Sequence, residues 1–406
     1  MCGLAGILMN TGGHVDVDLL ERMSRLMAHR GPDDVGYCGW REGTTPCTTR
    51  VPGELVGSSV ALSHRRLAIL DTSANGWQPM MSHDGRLLLV FNGEIYNFEV
   101  LRAELERLGH TFQSCSDTEV LLAGYRQWGH DVLCRLRGMF AFVILDIHKR
   151  TLFLTRDFFG IKPLYYARWA KGFAFASEIA PLLELPGISR EVHPLALYDY
   201  LRFGRSDGGQ HTMFRDVKQI PAASYVEVGL SQEKPTAPHQ YWRINTGIQC
   251  DMSFDSASDR LRDLFCDSVA LHLRSDVSVG AALSGGIDSS AIVSVAREKL
   301  GRHSQLCTFG YVADDPRLSE AQWMELAAEQ AKADLRQIRS SPEGLLDTLN
   351  HLITLQGEPF ASTSIFAQHE VYRTARRAGI KVILDGQGAD ELFAGYPTFI
   401  AARAAS

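Results

Sequence analysis

Two stretches of the chain hold residue types at spacings that could do chemistry. The first is Leu283-Ser284-Gly285-Gly286-Ile287-Asp288-Ser289-Ser290. An apolar run from Val277 to Leu283 leads into it, and Ala291, Ile292, Val295 and Ala296 lead out at helical spacing, so it reads as strand, tight glycine turn and helix N-terminus. Such a junction aims backbone N–H groups and the positive end of a helix dipole at an anion. Two glycines let a phosphate approach the main chain, serine hydroxyls add donors, and Asp288 could hold a Mg²⁺ that neutralises phosphate charge. The plain alternative is an ordinary strand–turn–helix connection of small residues. The second stretch is Met1-Cys2-Gly3-Leu4-Ala5-Gly6-Ile7. Methionine before a small residue is usually trimmed, which leaves Cys2 as the N-terminus. There an α-amine of pKa about 7.7–8.0 sits beside a thiol of pKa about 8.5 and can take its proton directly or through water. The small, apolar residues that follow suit a strand that buries the base.

The elements that must position these residues can be read coarsely. In the second half, strand-like runs Val277–Leu283, Leu306–Tyr311 and Ile380–Leu384 separate helical patterns near 289–300, 319–332 and 365–378. That alternation predicts a parallel sheet with crossover helices, whose ligands sit at the carboxyl ends of the strands. Asp385-Gly386-Gln387-Gly388-Ala389-Asp390-Glu391 follows the last of those strands, so Asp288 and Asp390 are expected to face one metal–phosphate cluster. In the first half, Glu99–Leu108 has Leu101, Leu105 and Leu108 on one helical stripe, and Val120–Trp128 reads as another helix. Gly138–Leu145 and Thr151–Leu154 read as strands around a polar turn. Taken alone, Asn92-Gly93 is a hairpin turn between Leu87–Phe91 and a strand from Ile95 onward. Residues 231–254 are polar, with Pro235 and Pro238, and read as a linker anchored by Tyr241-Trp242. From Asp255 a helix with Leu261, Leu264, Phe265 and Val269 on one face begins the second domain.

Bulk properties narrow the class. A length of 406 residues allows two domains with their own cores. The net charge of −6 and the lack of any basic run give no reason to expect nucleic acid. Eight scattered cysteines without a C-x-x-C pair argue against a zinc ribbon or a disulfide framework. With no secretory signal and no apolar run near the ~18 residues of a membrane span, a cytoplasmic setting without membrane contact is expected.

Separated motifs then carry a resemblance. His29-Arg30-Gly31-Pro32-Asp33, Leu62-Ser63-His64-Arg65-Arg66-Leu67, Phe91-Asn92-Gly93-Glu94-Ile95-Tyr96-Asn97 and Ser116-Asp117-Thr118-Glu119 resemble the class II glutamine amidotransferases over roughly the first 200 residues. The resemblance implies Cys2 as nucleophile, Asn92 and Gly93 as oxyanion hole, Arg66 as the fork for the glutamine carboxylate, and Glu94 and Asp117 for its ammonium. The run Arg156–Tyr166 is also family-like, but its place relative to the glutamine site cannot be read from sequence. In the second half there is no G-x-x-x-x-G-K-[ST], and Ser284–Ser290 looks like the pyrophosphate loop of ATP pyrophosphatases. Together with Gly386-x-Gly388-Ala389-Asp390-Glu391 and Gly395-Tyr396, the chain is similar to the glutamine-hydrolysing asparagine synthetase family. By that resemblance Leu283, Ser284, Gly285, Gly286, Asp288, Ser289, Ser290, Tyr311, Asp385 and Gly386 contact ATP, and Asp288 and Asp390 hold Mg²⁺. The fold expected is an α+β N-terminal nucleophile hydrolase-type sandwich over residues 2–230, a linker over 231–254, and an α/β parallel-sheet ATP-pyrophosphatase domain over 255–406.

The implied reaction hydrolyses glutamine at Cys2, activates the aspartate β-carboxyl as an acyl-AMP, and aminates it to asparagine. The substrates are then glutamine, ATP and aspartate, and a homodimer is compatible with the resemblance. Gln387 stands where the family often has Glu, a position linked to acyl-adenylate formation. The family continues past the equivalent of Ser406 through a helical stretch with a lysine, so a truncated synthetase part is expected here. Glu358-Pro359-Phe360 and Thr363-Ser364 precede the last helix, where an acceptor pocket could form, although residues there are more often caps. Two other readings stay open: a related ATP-dependent amide- or lactam-forming enzyme on another carboxylate, and a chain that retains only glutaminase or nucleotide binding.

Overall fold

The computed structural model describes residues 1–206, 209–231, 234–248, 251–315, 317, 319–339, 341–360 and 362–405. The chain packs into two units, one comprising Met1–Ile248 with Leu355–Ala361 and the other Gln249–Thr354 with Ser362–Ser406.

The first unit is built on strands β1 (Gly3–Met9), β2 (Asp34–Trp40), β3 (Cys47–Thr49), β4 (Val60–Arg66), β5 (Met80–Met81), β6 (Leu87–Ile95), β7 (Gly138–Asp146), β8 (Thr151–Arg156), β9 (Tyr165–Trp169), β10 (Gly172–Ala176), β11 (Val217–Gln219), β12 (Ser224–Gly229) and β13 (His239–Gln240). They form one sheet in the order β11-β9-β10-β1-β4-β2-β3 and another in the order β13-β12-β8-β7-β6-β5. Period-2 alternation sends Leu4, Leu8 and Leu62 of one sheet and Leu88, Val90, Val143 and Leu154 of the other into a shared, fully buried layer. Helices cover the outer faces. Helix α1 (Val17–Leu26) sets Leu19, Leu20 and Met23 against Ala5, Ile7 and Ala61. Helices α2 (Phe98–Arg107) and α3 (Asp117–Trp128) set Leu101, Leu105, Val120 and Leu121 against Leu89, Phe91 and Phe142. The short α4 (Ile179–Leu182) adds to the first face, and α5 (Pro194–Phe203) buries none of its residues. The result is helix–sheet–sheet–helix, the sandwich expected from the sequence.

Two local expectations change. Leu108 lies past the end of α2 and is exposed, so the helical stripe stops at Leu105. Asn92-Gly93 is not a turn: both residues lie inside the continuous strand β6, opposite Ala141 and Phe140 of β7. Beyond β12, Tyr241 donates its hydroxyl to the Arg156 carbonyl, and Phe158 packs edge-on against both Tyr241 and Trp242.

The second unit opens with α6 (Phe254–His272). Val269 is buried, but Leu261 and Leu264 are exposed, so only the end of the expected apolar face finds a partner. Then follow β14 (Val279–Ala282), α7 (Ile287–Leu300), β15 (Cys307–Tyr311), α8 (Ala321–Ala331), β16 (Asp334–Ile338), α9 (Pro342–Gln356), α10 (Ser364–Arg377), β17 (Val382–Leu384), α11 (Ala389–Phe393) and α12 (Pro397–Ala405). The sheet runs β16-β15-β14-β17 with every pairing parallel, which is the architecture read from the alternating pattern. Strand β16 and helix α9 add to that reading. Among the described residues, no helix is long and apolar enough to cross a membrane.

Candidate functional site

Cys2 stands at the start of β1, and its surroundings come from four elements. The Leu67 N–H, just past β4, donates to the Cys2 Sγ at 3.3 Å. Arg30 donates from Nε to the Cys2 carbonyl at 2.9 Å and from Nη1 to Glu178 Oε1 at 2.9 Å, so the Cys2 backbone is moored by a cation that is itself paired. The Met1 α-ammonium beside it is pushed down to about 5, chiefly by burial. Cys2, Arg66, Gly93, Glu94 and Asp117 line one small pocket, with Gln78, Ser116 and Thr118 completing its wall.

Each expected residue of this pocket has a distinct support. Arg66 ends β4, and its guanidinium donates to the carbonyls of Ser73 (2.8 Å), Leu70 (3.4 Å) and Asp71. Three carbonyls in one loop fix the plane of the fork, and the side chain is buried. Asp117 is the first residue of α3, capped by Ser116. It accepts the Ile95 N–H at 2.9 Å through Oδ2. Burial pushes its carboxyl up to about 6, although hydrogen bonds from Ile95, Thr118 and Ser116 pull the other way. Glu94 is raised well above the usual carboxylate range by burial and by the neighbouring Asp117 charge, and Lys162 opposes that shift.

The direction of the Gly93 N–H follows from strand register. Hydrogen bonds across an antiparallel pair alternate, so every second residue turns its N–H away from its partner. On β6 that set is Leu87, Leu89, Phe91, Gly93 and Ile95. The Leu87 N–H goes to Ser82 Oγ at 3.0 Å, Leu89 pairs with Met80 of β5, the Phe91 N–H goes to Gln78 Oε1 at 2.7 Å, and the Ile95 N–H goes to Asp117. The Gly93 N–H falls between the last two and faces the pocket. A side chain at 93 would collide with the Met139 carbonyl at 2.4 Å and the Phe91 ring at 2.6 Å, so only glycine keeps this strand position. Asn92 is buried, does not line the pocket wall, and leaves both Oδ1 and Nδ2 without partners. An unpaired buried amide is destabilising by about 1–3 kcal/mol.

Lys162 escaped the sequence reading, which found Arg156–Tyr166 family-like but could not place it. The residue is buried, and Glu94, Arg30, Cys2 and Asp157 are the groups that act electrostatically on its ammonium. Burial lowers its affinity for a proton, while Glu94, Cys2 and Asp157 restore part of it. Gln78 was missed as well. Its only sequence signal is a polar residue next to a proline, and its partner lies thirteen residues along the chain.

In the second unit, β14 runs into the loop 283–286 and then α7. Gly285 has φ +88°, and a Cβ there would meet Trp323 Cβ at 2.9 Å and Met324 N at 3.0 Å, so this turn needs glycine twice over. Leu283 is buried and contributes only backbone to the loop. Two of the serine hydroxyls close the loop rather than standing free: Ser289 Oγ accepts from Ser284 N at 3.2 Å, lies 3.0 Å from Ser284 Oγ, and donates to the Gly286 carbonyl at 3.2 Å. Ser290, one turn into α7, donates its N–H to the Gly286 carbonyl. Strand β17 pairs directly with β14, so Asp385 and Gly386 emerge beside this loop. A Cβ on Gly386 would sit 3.2 Å from Asp288 Cβ. Tyr372 donates its hydroxyl to Asp385 Oδ2 at 3.4 Å, and Tyr311 ends β15 on the same edge of the sheet. Gln387 is exposed.

Asp390 sits in α11, with its carboxylate lying against Gly395. Among the described residues, no group of three or more His, Cys, Asp or Glu side chains gathers as a ligand set. Asp288 lies in the first turn of α7, beside Gly386 just past the end of β17. Of the two stretches expected near an acceptor, Glu358 accepts the Met213 N–H at 2.6 Å within the first unit, and Thr363 precedes α10 without a side-chain cap bond.

Comparison with known proteins agrees with this layout. A family model described as glutamine amidotransferase domain matches residues 1–242, and one described as asparagine synthase matches residues 260–406. The chain is 36% identical over 405 residues to glutamine-hydrolysing asparagine synthetase 1 of Bacillus subtilis, covering 98% of this chain and 59% of that one. To glutamine-hydrolysing asparagine synthetase 2 of the same organism it is 32% identical over 418 residues, covering 98% and 52%. To glutamine-hydrolysing asparagine synthetase B of Escherichia coli it is 30% identical over 429 residues, covering 98% and 65%. The chain thus spans just over half to two thirds of the length of these relatives.

Proposed function

The chain belongs to the glutamine-hydrolysing asparagine synthetase family, and on that premise we propose that it couples glutamine hydrolysis to ATP-dependent amidation of aspartate. The observation that carries the first half is the Gly93 N–H, which faces the Cys2 pocket between two N–H groups already claimed by side chains. Removal of Met1 gives Cys2 a free α-amine, which takes the thiol proton. The thiolate attacks the glutamine carboxamide. Gly93 and the unpartnered Asn92 amide stabilise the tetrahedral oxyanion, donors of this kind being worth about 3–4 kcal/mol each. The proton returns to the leaving nitrogen, ammonia departs, and water hydrolyses the thioester to glutamate. Arg66 holds the substrate α-carboxylate, and Glu94 and Asp117 hold its ammonium.

In the second unit the loop at Ser284–Ser290, with Asp385, Gly386 and Tyr311, holds ATP. Attack of the aspartate β-carboxylate on the α-phosphate expels pyrophosphate and leaves an acyl-AMP. Adenylation is required because a carboxylate is a poor electrophile and AMP a good leaving group. Ammonia then displaces AMP to give asparagine. Asp288 and Asp390 are the residues that would hold Mg²⁺, which neutralises phosphate charge when bound. A cytoplasmic setting goes with this reading.

The test is the Cys2→Ala variant, assayed for aspartate-dependent pyrophosphate release with glutamine and with ammonium chloride as nitrogen source. Glutamine-dependent turnover should vanish while ammonia-dependent turnover persists. Equal loss of both would overturn the two-site reading, and pyrophosphate release with another carboxylate but not aspartate would reassign the acceptor.

A further inference from the structure

We propose that Gln78 is a positioning residue for the oxyanion-binding N–H of Gly93, acting with His64 to fix the open end of β6. Beyond Leu89, which lies opposite Met80, no strand among the described residues pairs with β6 on its outer side, since β5 is only two residues long. An edge strand without a partner twists and frays, and an N–H on it is poorly fixed in direction. Here side chains stand in for the missing strand. Gln78 Oε1 accepts the Phe91 N–H at 2.7 Å, and His64 Nε2 donates to the Phe91 carbonyl at 2.9 Å. Both polar groups of Phe91, two residues before Gly93, are thereby held. Gln78 Nε2 in turn donates to Thr118 Oγ1 at 3.4 Å, which ties it to the residue after Asp117. Asp117 holds the same edge at Ile95, two residues beyond Gly93. The Gly93 N–H is therefore bracketed by two side-chain clamps joined through the N-terminus of α3.

Gln78 and His64 are both buried, so neither clamp is loosened by solvent. The His64 hydrogen bond to a carbonyl requires a proton on Nε2, and Nδ1 is buried without a partner. The imidazole is thus neutral here, a donor on one side only. The energetic logic is that of any preorganised oxyanion site: the donor must already point at the position the oxyanion will occupy, because reorienting it during reaction removes much of its worth.

This inference rests on the glutaminase reading, and the experiment separates the two. Gln78→Met keeps the volume and removes the acceptor; Gln78→Ser leaves room for water to take the Phe91 N–H and covers a methionine variant that does not fold. For each, glutamine hydrolysis and alkylation of Cys2 by iodoacetamide are measured side by side. Alkylation is a displacement at carbon that forms no oxyanion, whereas hydrolysis forms one. The expected result is a kcat lowered by about ten- to a hundredfold, a KM for glutamine within about twofold, and an unchanged alkylation rate; His64→Leu should give the same split. Unchanged kcat in the Gln78 variants overturns the inference alone. A fall in alkylation parallel to the fall in kcat also overturns it, because the damage is then general. A wild-type protein that is alkylated at Cys2 yet hydrolyses no glutamine overturns the glutaminase reading and the inference with it.

Discussion

The Leu67 N–H lies 3.3 Å from the Cys2 Sγ and donates to it, and Leu67 is the residue directly after Arg66. The Cys2 sulfur is thus hydrogen-bonded to the backbone that carries the Arg66 guanidinium. The Cys2 thiol in turn donates to the Leu67 carbonyl at 3.7 Å, so one residue engages the sulfur through both its N–H and its carbonyl.

Cys2 should react with iodoacetamide at neutral pH while Cys38 does not. Cys38 is buried, and burial pushes its thiol up to about 12. Glutamine bound against Arg66 should protect Cys2 in proportion to its occupancy, as followed by mass spectrometry of the labelled peptides. Labelling of Cys38 at a comparable rate, or no protection of Cys2 by glutamine, would contradict the described pocket.

Asp117 should make glutamine binding fail in mild acid. Its carboxyl is raised to about 6 by burial, so it gains a proton as pH falls through that value and loses its attraction for the substrate ammonium. KM for glutamine should rise below about pH 6. Asp117→Asn should raise KM by about a hundredfold at pH 8, in line with the 2–5 kcal/mol typical when one member of a buried charge pair is removed. That variant should lose the acid limb of the KM profile; its retention would assign the titration to another group.

His64 should make the fold more stable as pH rises from about 4 to about 6.5. Its folded-state value is lowered to about 4, chiefly by burial, so in that window the unfolded chain binds a proton that the folded chain refuses. The shift corresponds to about 3 kcal/mol across the whole window. Asp117, with its raised value, contributes the opposite slope between about 3.8 and about 6. Comparison with His64→Gln isolates the histidine: urea midpoints of the variant should climb less between pH 4 and 6.5 than those of the wild type. Parallel climbs would mean that His64 is charged when folded.

Gly285→Ala should disable the second unit and spare the first. The alanine would hold φ +88° at about 1–2 kcal/mol and press its Cβ on Trp323 and the Met324 nitrogen. ATP affinity by calorimetry should fall at least tenfold, with glutaminase activity unchanged. Gly344→Ala is the control, because it lies in α9 outside the loop and its Cβ meets nothing closer than Phe366 Cζ at 3.8 Å.

Legibility in the sequence followed from how local each feature is. The loop 283–286 was readable because strand, glycine turn and helix lie in one run, Val279 to Leu300. Strand β16 was not, because Asp334-Leu335-Arg336-Gln337-Ile338 lies at the sheet edge and buries only Ile338. Asn92-Gly93 suggested a turn because the apolar run of β6 breaks there, but the strand continues: Asn92 is buried and Gly93 and Glu94 line a pocket. Leu261 and Leu264 obeyed helical periodicity and still lie exposed, since periodicity describes a face and not its partner. Gln78 and Lys162 could not be placed from sequence, because the groups around them are brought near only by folding.

The side-chain clamps along β6 also have a consequence for solvent exchange. Of the amides at Phe91, Gly93 and Ile95, two are hydrogen-bonded to buried acceptors. The third waits in a pocket that solvent shares. In heavy water its proton should be replaced well before those of its neighbours, and an occupant that presents a carbonyl or oxyanion should slow it to their rate. A ligand in this site therefore completes the sheet by a single hydrogen bond.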